Sequence, residues 1–371
     1  MPKARTSSVI FWRNPGSKAV RGAIALAMGV MAALTAAGPV QAEMLRIRTW
    51  GDYLSPQVVK RFERETGVTV QMEEINSYTE MVAPLLDGAN RADVIFPADF
   101  QVRELVEKGL LEKIESDRLA NFWNVDDVWR SRAFDLRNEY TVPHVWGTTA
   151  FVVDTAVYGG AMDSLRVVFQ PPRALASRMA FVDSGFDMVQ LALVWLKLPR
   201  CSSEGEDMTK VRDLLLPLLR RVPVVRSERL ARDLGVGRYA MAVIWNGAAF
   251  LARKSRSSLR YANPSEGALV WTDVMVVPKG AANKANALAF LSFMMRPEIA
   301  AMESNYNGYA NMIRGAEAFM DPALLNAPEI ITPPNSALDF FAYCGGGVEA
   351  RQEAVWRALK AEAGVLDQPK D

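Results

Sequence analysis

Leu45-Arg46-Ile47-Arg48-Thr49-Trp50 alternates apolar and polar side chains with a period of two, the pattern of a strand with one face buried. Ser55-Pro56 follows, a hydroxyl N-cap and a first-turn proline, and predicts a helix to about Thr66 with Gly67 as its stop. Val68-Thr69-Val70-Gln71-Met72 reads as the next strand. Tyr78 to Leu86 reads as a helix in which Pro84 forces a kink or an early end. Ala92 to Phe96 is a short apolar strand, and Phe100 to Lys108 a helix closed by Gly109. Three strand–helix units in close succession predict a mainly parallel, doubly wound α/β sheet.

The pattern loosens toward the C-terminus. Gln170-Pro171-Pro172 marks a turn, Met179 to Val182 a strand, and Asp187 to Leu198 a helix. Leu214 to Leu219 is helical with a break at Pro217. Tyr239 to Trp245 and Leu269 to Val277 read as buried strands, and Ala282 to Met295 as a helix ended by Arg296-Pro297. A last helix, Val348 to Ala363, follows Gly345-Gly346-Gly347.

On the other side of the opening strand lies a segment of different character. Residues 1–42 hold Lys3, Arg5, Arg13, Lys18 and Arg21 and no acid, then an apolar run from Gly22 to Gly38 and Val40-Gln41-Ala42. This is the layout of a secretory signal peptide, expected to be cleaved after Ala42, with an uncleaved membrane anchor as the alternative. No Arg-Arg pair precedes the run and no cysteine follows it, so neither twin-arginine export nor a lipid anchor is expected. Removing those five basic residues from the chain's 43 leaves 38 against 42 acids, a mildly acidic exported protein.

Composition narrows the chemistry. Half of the 371 residues are hydrophobic and the net charge is +1, which excludes a basic nucleic-acid tail and a disordered chain. One histidine, His144, and two cysteines, Cys201 and Cys344, cannot supply a structural zinc site. Cys201 and Cys344 either pair in an oxidising compartment or stay as separate buried thiols; their spacing does not decide. His144 reads as a structural or surface residue, and any Ser–His or Cys–His chemistry would hang on it alone. Trp123, Trp129, Trp146 and Trp356 read as packing residues. Arg220-Arg221 and Arg253-Lys254-Ser255-Arg256 read as solvated faces.

One local pattern appears twice: Trp50-Gly51-Asp52-Tyr53 at the end of the first strand, and Trp271-Thr272-Asp273 inside a late one. In extended backbone, residues i and i+2 share a face, so each pair sets a carboxylate beside an indole. Acid and ring together suit an organic ammonium, through charge-assisted hydrogen bonds and cation–π attraction. The plainer reading is a core tryptophan beside a surface aspartate.

These motifs belong to a longer series. It includes Phe62-Glu63-Arg64-Glu65-Thr66-Gly67, Asp93-Val94-Ile95-Phe96-Pro97, Pro143-His144-Val145-Trp146-Gly147-Thr148-Thr149, Trp245-Asn246-Gly247, Glu266 to Asp273 and Met295-Arg296-Pro297-Glu298. In order and spacing the series resembles the periplasmic spermidine/putrescine-binding proteins of ABC transporters along nearly the whole mature region. The resemblance implies a two-lobed α/β fold of periplasmic-binding-protein type II, each lobe a mixed sheet flanked by helices. Lobe 1 would comprise 43–146 plus about 273–317, and lobe 2 about 147–272 plus 318–371, with the ligand between them.

By position, Trp50, Tyr53, Trp245 and Trp271 resemble the aromatic walls, Asp52 a nearby acidic contact, and Asp273 the main amine anchor. Asp187 stands where the family usually has Glu, and Tyr309 matches a pocket tyrosine. Phe100 keeps a ring without the hydroxyl of the spermidine type, while Asp99 adds a charge or caps the next helix. Ser184 and Ala248 stand where the spermidine and putrescine types, respectively, have an Asp, so the sequence fits neither subtype. The pocket glutamine of the spermidine type falls near Ala342 or Tyr343. The resemblance further implies a polyamine ligand, permease partners in the inner membrane, a periplasmic monomer, no cofactor, no metal, no nucleic acid and no turnover. The same fold binding another amine, guanidino compound or amino acid is one alternative; a secreted hydrolase is another, although no G-x-S-x-G motif is present.

Overall fold

The computed structural model describes residues 43–330, 338–340 and 343–365. The expected signal peptide and Ala342 lie outside them. The opening units form as their patterns predict: β1 (Met44–Trp50), α1 (Pro56–Thr66), β2 (Thr69–Ile75), α2 (Tyr78–Leu86), β3 (Val94–Ile95) and α3 (Asp99–Glu107). Ser55 accepts a hydrogen bond from the Gln57 N–H at the head of α1, and Gly67 closes it in the left-handed conformation. Pro84 stands inside α2, and the helix ends two residues later at Leu86.

The next element escapes the sequence reading. β4 (Thr141–Asp154) is a 14-residue strand, buried at every position except Trp146. Pro143 argues against a central strand, and it is tolerated because the pairing shifts register between Pro143 and Val145. An unbroken apolar and threonine run also lacks the alternation that marks a half-buried strand. There follow β5 (Met179–Val182), α4 (Gly185–Leu196), α5 (Gly205–Leu219), β6 (Val224–Val225), α6 (Ser227–Gly235), β7 (Met241–Trp245), α7 (Asn246–Ser255), β8 (Leu259–Tyr261) and β9 (Ala268–Val276). After them come α8 (Lys284–Met294), α9 (Pro297–Asn307), β10 (Ala310–Asn311), β11 (Leu338–Phe340) and α10 (Val348–Ala363).

Among the described residues the strands form one mixed sheet in the order β2-β1-β3-β9-β4-β7-β5-β6. β2, β1 and β3 are mutually parallel, as are β7, β5 and β6, and the antiparallel strands β9 and β4 join the two groups. Two large hydrophobic cores result among the described residues, beside a small cluster of Phe250, Leu324 and Ala327. One holds β1, α1 and α8; the other holds β5, α4, α5 and β7. β4 and β9 serve both: Val145 and Trp271 belong to the first core, Phe151 and Leu269 to the second.

One open alternative is decided here and two sequence expectations change. Cys201 and Cys344 are joined in a disulfide, with Cα atoms 5.4 Å apart across 143 positions. Trp356 is fully buried as expected, but Trp123 is 63% exposed, its ring covered by the Arg130 guanidinium 4.9 Å from the centroid. Arg253 and Arg256 are no solvated face, since Arg253 grips the buried Glu329 carboxylate and Arg256 the buried Asp154. Short local windows do not reveal such partners, which lie 76 and 102 positions away.

The disulfide ties the loop ahead of α10 to the loop ahead of α5. Cys201→Ser should therefore cost about 2–4 kcal/mol of stability by releasing a long loop in the unfolded chain. Melting scans check this. The variant should melt below the oxidised wild type, and a reductant should bring the wild type down to the variant; indifference of the wild type to reductant contradicts it.

Candidate functional site

A cavity of about 240 Å³ opens where loops from both strand groups meet. Trp50, Asp52, Tyr53, Trp245, Trp271, Asp273 and Tyr309, all singled out in the sequence, line it together. The lining follows one rule of open α/β sheets, in which ligands sit beyond the carboxyl ends of parallel strands. β1 ends at Trp50 and delivers Gly51, Asp52 and Tyr53. β2 delivers Tyr78, β6 delivers Ser227 and Glu228, and β7 delivers Trp245 and Ala248.

Trp271 and Asp273 are placed differently, on β9 itself, where extended geometry puts both on one face. For Trp50 and Asp52 that argument does not apply. The strand stops at Trp50, and Asp52 has φ 50°, a left-handed turn conformation, so the chain's turn brings its carboxylate to the cavity.

Asp273 is 5% exposed and accepts a 2.7 Å hydrogen bond from the Tyr53 hydroxyl. Burial, reinforced by the charges of Asp99 and Asp187, holds its carboxyl well above the usual range, against the pull of the Tyr53 hydrogen bond. Asp99 does not line the cavity, but burial pushes its carboxyl up to about 7. A buried acid with a raised pKa is primed to ionise when a cation arrives.

The aromatic walls are held in place by named contacts. The Trp50 indole N–H donates to the Phe96 carbonyl at 3.1 Å, and its ring meets Tyr78 edge-on at 5.0 Å. Tyr309 meets Trp271 edge-on at 5.1 Å. Two glycines make room for these rings. A Cβ on Gly147, the β4 partner of Trp271, would lie 2.5 Å from the Trp271 ring, and one on Gly247 would lie 2.5 Å from the Tyr309 ring. The Trp271 Nε1–H is buried without a partner among the described residues.

The remaining candidates stand behind this lining. Asp187 is fully buried and accepts hydrogen bonds from the Trp245 indole N–H (3.0 Å), the Ser184 hydroxyl (2.6 Å) and the Thr149 hydroxyl (2.9 Å). It orients the Trp245 wall, and Ser184 orients Asp187. Phe100 stacks on Phe186 at 4.3 Å and touches Tyr78 edge-on at 5.0 Å, buttressing a wall residue. These residues follow the carboxyl ends of β3 and β5, at the start of helices that turn their side chains inward to the core. α10 steadies the same region: Glu353 accepts from the Phe186 N–H at 3.1 Å, and Lys360 pairs with Asp183 at 2.9 Å.

His144 packs against the rings of Tyr53 and Phe96, and burial drives its pKa down to about 3, which keeps the imidazole neutral. Its Nε2 has no partner among the described residues. Tyr343 points elsewhere, donating to Glu107 at 2.9 Å. Among the described residues no cluster of three His, Cys, Asp or Glu side chains could hold a metal ion. Sequence reasoning passed over Tyr78, Glu228 and Asn307. The strand-end rule would have reached Tyr78 and Glu228, but β6 is two residues long and gave no strand signal.

The sequence profile of the bacterial extracellular solute-binding protein family matches residues 57–332, well over half the chain. The chain belongs to this family. A putrescine/agmatine-binding protein of Pseudomonas aeruginosa is 30% identical over 327 residues, covering 82% of this chain and 89% of that protein. The spermidine/putrescine-binding periplasmic protein of Escherichia coli is 28% identical over 314 residues, covering 84% and 88%. Among solved structures, a putative spermidine/putrescine ABC transporter protein from Listeria monocytogenes superposes with a TM-score of 0.80 at 25% identity, covering 86% of this chain and 99% of that one. The fold of this solute-binding protein is the mixed α/β, type II periplasmic-binding architecture.

Gly147 lies directly against the Trp271 indole. Gly147→Ala should drive a methyl group into the indole and cost about 1–3 kcal/mol. Denaturant unfolding followed by tryptophan fluorescence checks this, and an unchanged midpoint with an unchanged native spectrum contradicts it.

Proposed function

We propose that this solute-binding protein captures a polyamine of the putrescine/spermidine class in the periplasm and delivers it to the permease of an ABC importer. One observation carries the reading: a buried carboxylate, Asp273, standing on a strand at the foot of an aromatic-walled cavity and bonded to Tyr53. An amine's ammonium takes the place of a proton there, and Trp50, Trp245, Trp271 and Tyr309 cover its methylenes. The names of the relatives support the same ligand class. The agmatine in one of those names favours a second reading at the same site, an amine–guanidine rod.

In this reading the chain closes as two lobes, 43–146 with about 273–317 and about 147–272 with 318–371. The passage of β4 and β9 from one hydrophobic core to the other supports that division. Acidic groups repel across the empty cleft, and a di- or trication relieves the repulsion as the lobes shut. A charge-assisted hydrogen bond is worth roughly 1.5–3 kcal/mol. Two or three of them with stacked methylenes suffice for micromolar binding, about −8 kcal/mol. No chemical step is required of any residue, and the neutral, ring-packed His144 is not placed as a base. Export would use residues 1–42 as a signal peptide cut after Ala42, leaving a monomer.

Calorimetry with putrescine, spermidine, spermine, agmatine and γ-aminobutyrate tests the ligand class. Asp273→Ala should weaken amine binding at least about tenfold, the loss of one charge-assisted contact; unaltered affinity contradicts the assignment. Binding should also depend on pH with a definite sign. Asp99 has its pKa raised to about 7 and burial raises that of Asp273 as well, so falling pH protonates these acids and removes the charge that a cation seeks. Affinity should therefore decline from pH 8 to pH 6, by up to about tenfold per pH unit for each proton released. Calorimetry in buffers of different ionisation enthalpy measures that release. Affinity that is flat across this range, with no proton release, contradicts the sign.

A further inference from the structure

The cavity has a second acidic wall, away from Asp273. Glu228 lies in the first turn of α6, its side chain 16% exposed. Among the described residues its carboxylate accepts no hydrogen bond, and its ion pair with Arg226 is loose, 3.6 Å from Nε to Oε2. It also faces the smaller cavity that adjoins the main one behind Trp50 and Trp245, whose rings meet edge-on at 6.4 Å. Gly51 lies directly beneath it: a Cβ there would sit 2.5 Å from Glu228 Oε1. The chain therefore leaves room at Gly51 for this one carboxylate.

The charge balance points the same way. The charged side chains lining the main cavity are Asp52, Glu228 and Asp273 against Arg232, which is exposed one helical turn beyond Glu228. Three acids against one exposed base leave the wall acidic, which suits a ligand that carries positive charge at more than one point.

We propose that Glu228 anchors the second cationic end of the ligand, making the site selective for rods charged at both ends over monoamines and ω-amino acids. The assignment rests on the amine reading given above. Asp273 takes one ammonium on the strand side. Glu228 takes the distal ammonium or guanidinium on the loop side, exchanging its loose Arg226 partner for it. The ring pair of Trp50 and Trp245 flanks that end. An ω-amino acid would bring a carboxylate against Glu228, and a monoamine would leave Glu228 with Arg226 alone.

Glu228→Gln keeps the shape and removes the charge. Titrations of wild type and variant with putrescine, n-butylamine and γ-aminobutyrate, beside melting scans, test the role. Putrescine affinity should fall at least tenfold in the variant, n-butylamine affinity should change less than twofold, and the preference for putrescine over γ-aminobutyrate should shrink. Glu228→Asp, which retains charge with a shorter reach, should fall between the two. Equal losses for putrescine and n-butylamine, or no loss for putrescine, overturn the role of Glu228 while leaving amine binding standing. A wild-type protein that binds no diamine at all overturns the amine reading and this assignment with it.

Discussion

The antiparallel pairing of β4 with β9 is the constraint on which the rest of the molecule depends. Their register runs from Thr141 opposite Val276 to Thr149 opposite Leu269, and both strands contribute buried residues to both large hydrophobic cores. Backbone hydrogen bonds fix this register, and a slip of one residue would turn Trp271 and Asp273 away from the cavity. The same register places side-chain-free Gly147 under the Trp271 ring, so the strand pairing and the wall of the site are a single geometric fact.

Around that axis the site is built in two tiers. The inner tier touches the cavity: Asp273 with Tyr53, and the rings of Trp50, Trp245, Trp271 and Tyr309. The outer tier fixes the inner one. Asp187 receives the Trp245 indole, Ser184 and Thr149 hold Asp187, and α10 holds the loop and helix start that present it. Glu303 does comparable work for Tyr53. It accepts from the Ser55 N–H with both oxygens at 3.1 Å, beside the loop that carries the tyrosine, although burial lifts its pKa to about 8. Placing so many carboxyl groups out of water is costly, a cost met here by hydrogen bonds from backbone and hydroxyl donors.

Much of this was legible in the residues. Alternation, a serine cap and two glycine stops marked the first three strand–helix units to within three residues. The Trp-x-Asp pattern and its companion motifs pointed to seven cavity residues. What stayed hidden shares one cause, in that the deciding interaction lies far away along the chain. β4 hides behind Pro143 because a register shift supplied by β9 is what excuses the proline. The grips of Arg253 on Glu329 and of Arg256 on Asp154, and the closure of Cys201 on Cys344, span 76 to 143 positions. Glu228 was missed because two residues of β6 leave too short a trace to announce a strand end. Asp187 and Phe100 were placed near the right rings, but a sequence position does not tell a wall from its buttress.

The two poles of the cavity differ in how they are mounted. Asp273 and Trp271 stand on a strand locked on both sides by neighbours, whereas Asp52, Tyr78 and Glu228 ride on turns and helix tips. Evolution or a designer can therefore lengthen, shorten or recharge the loop pole without disturbing the sheet. The strand pole acts as a datum, and cargo preference is adjusted by what is hung opposite it.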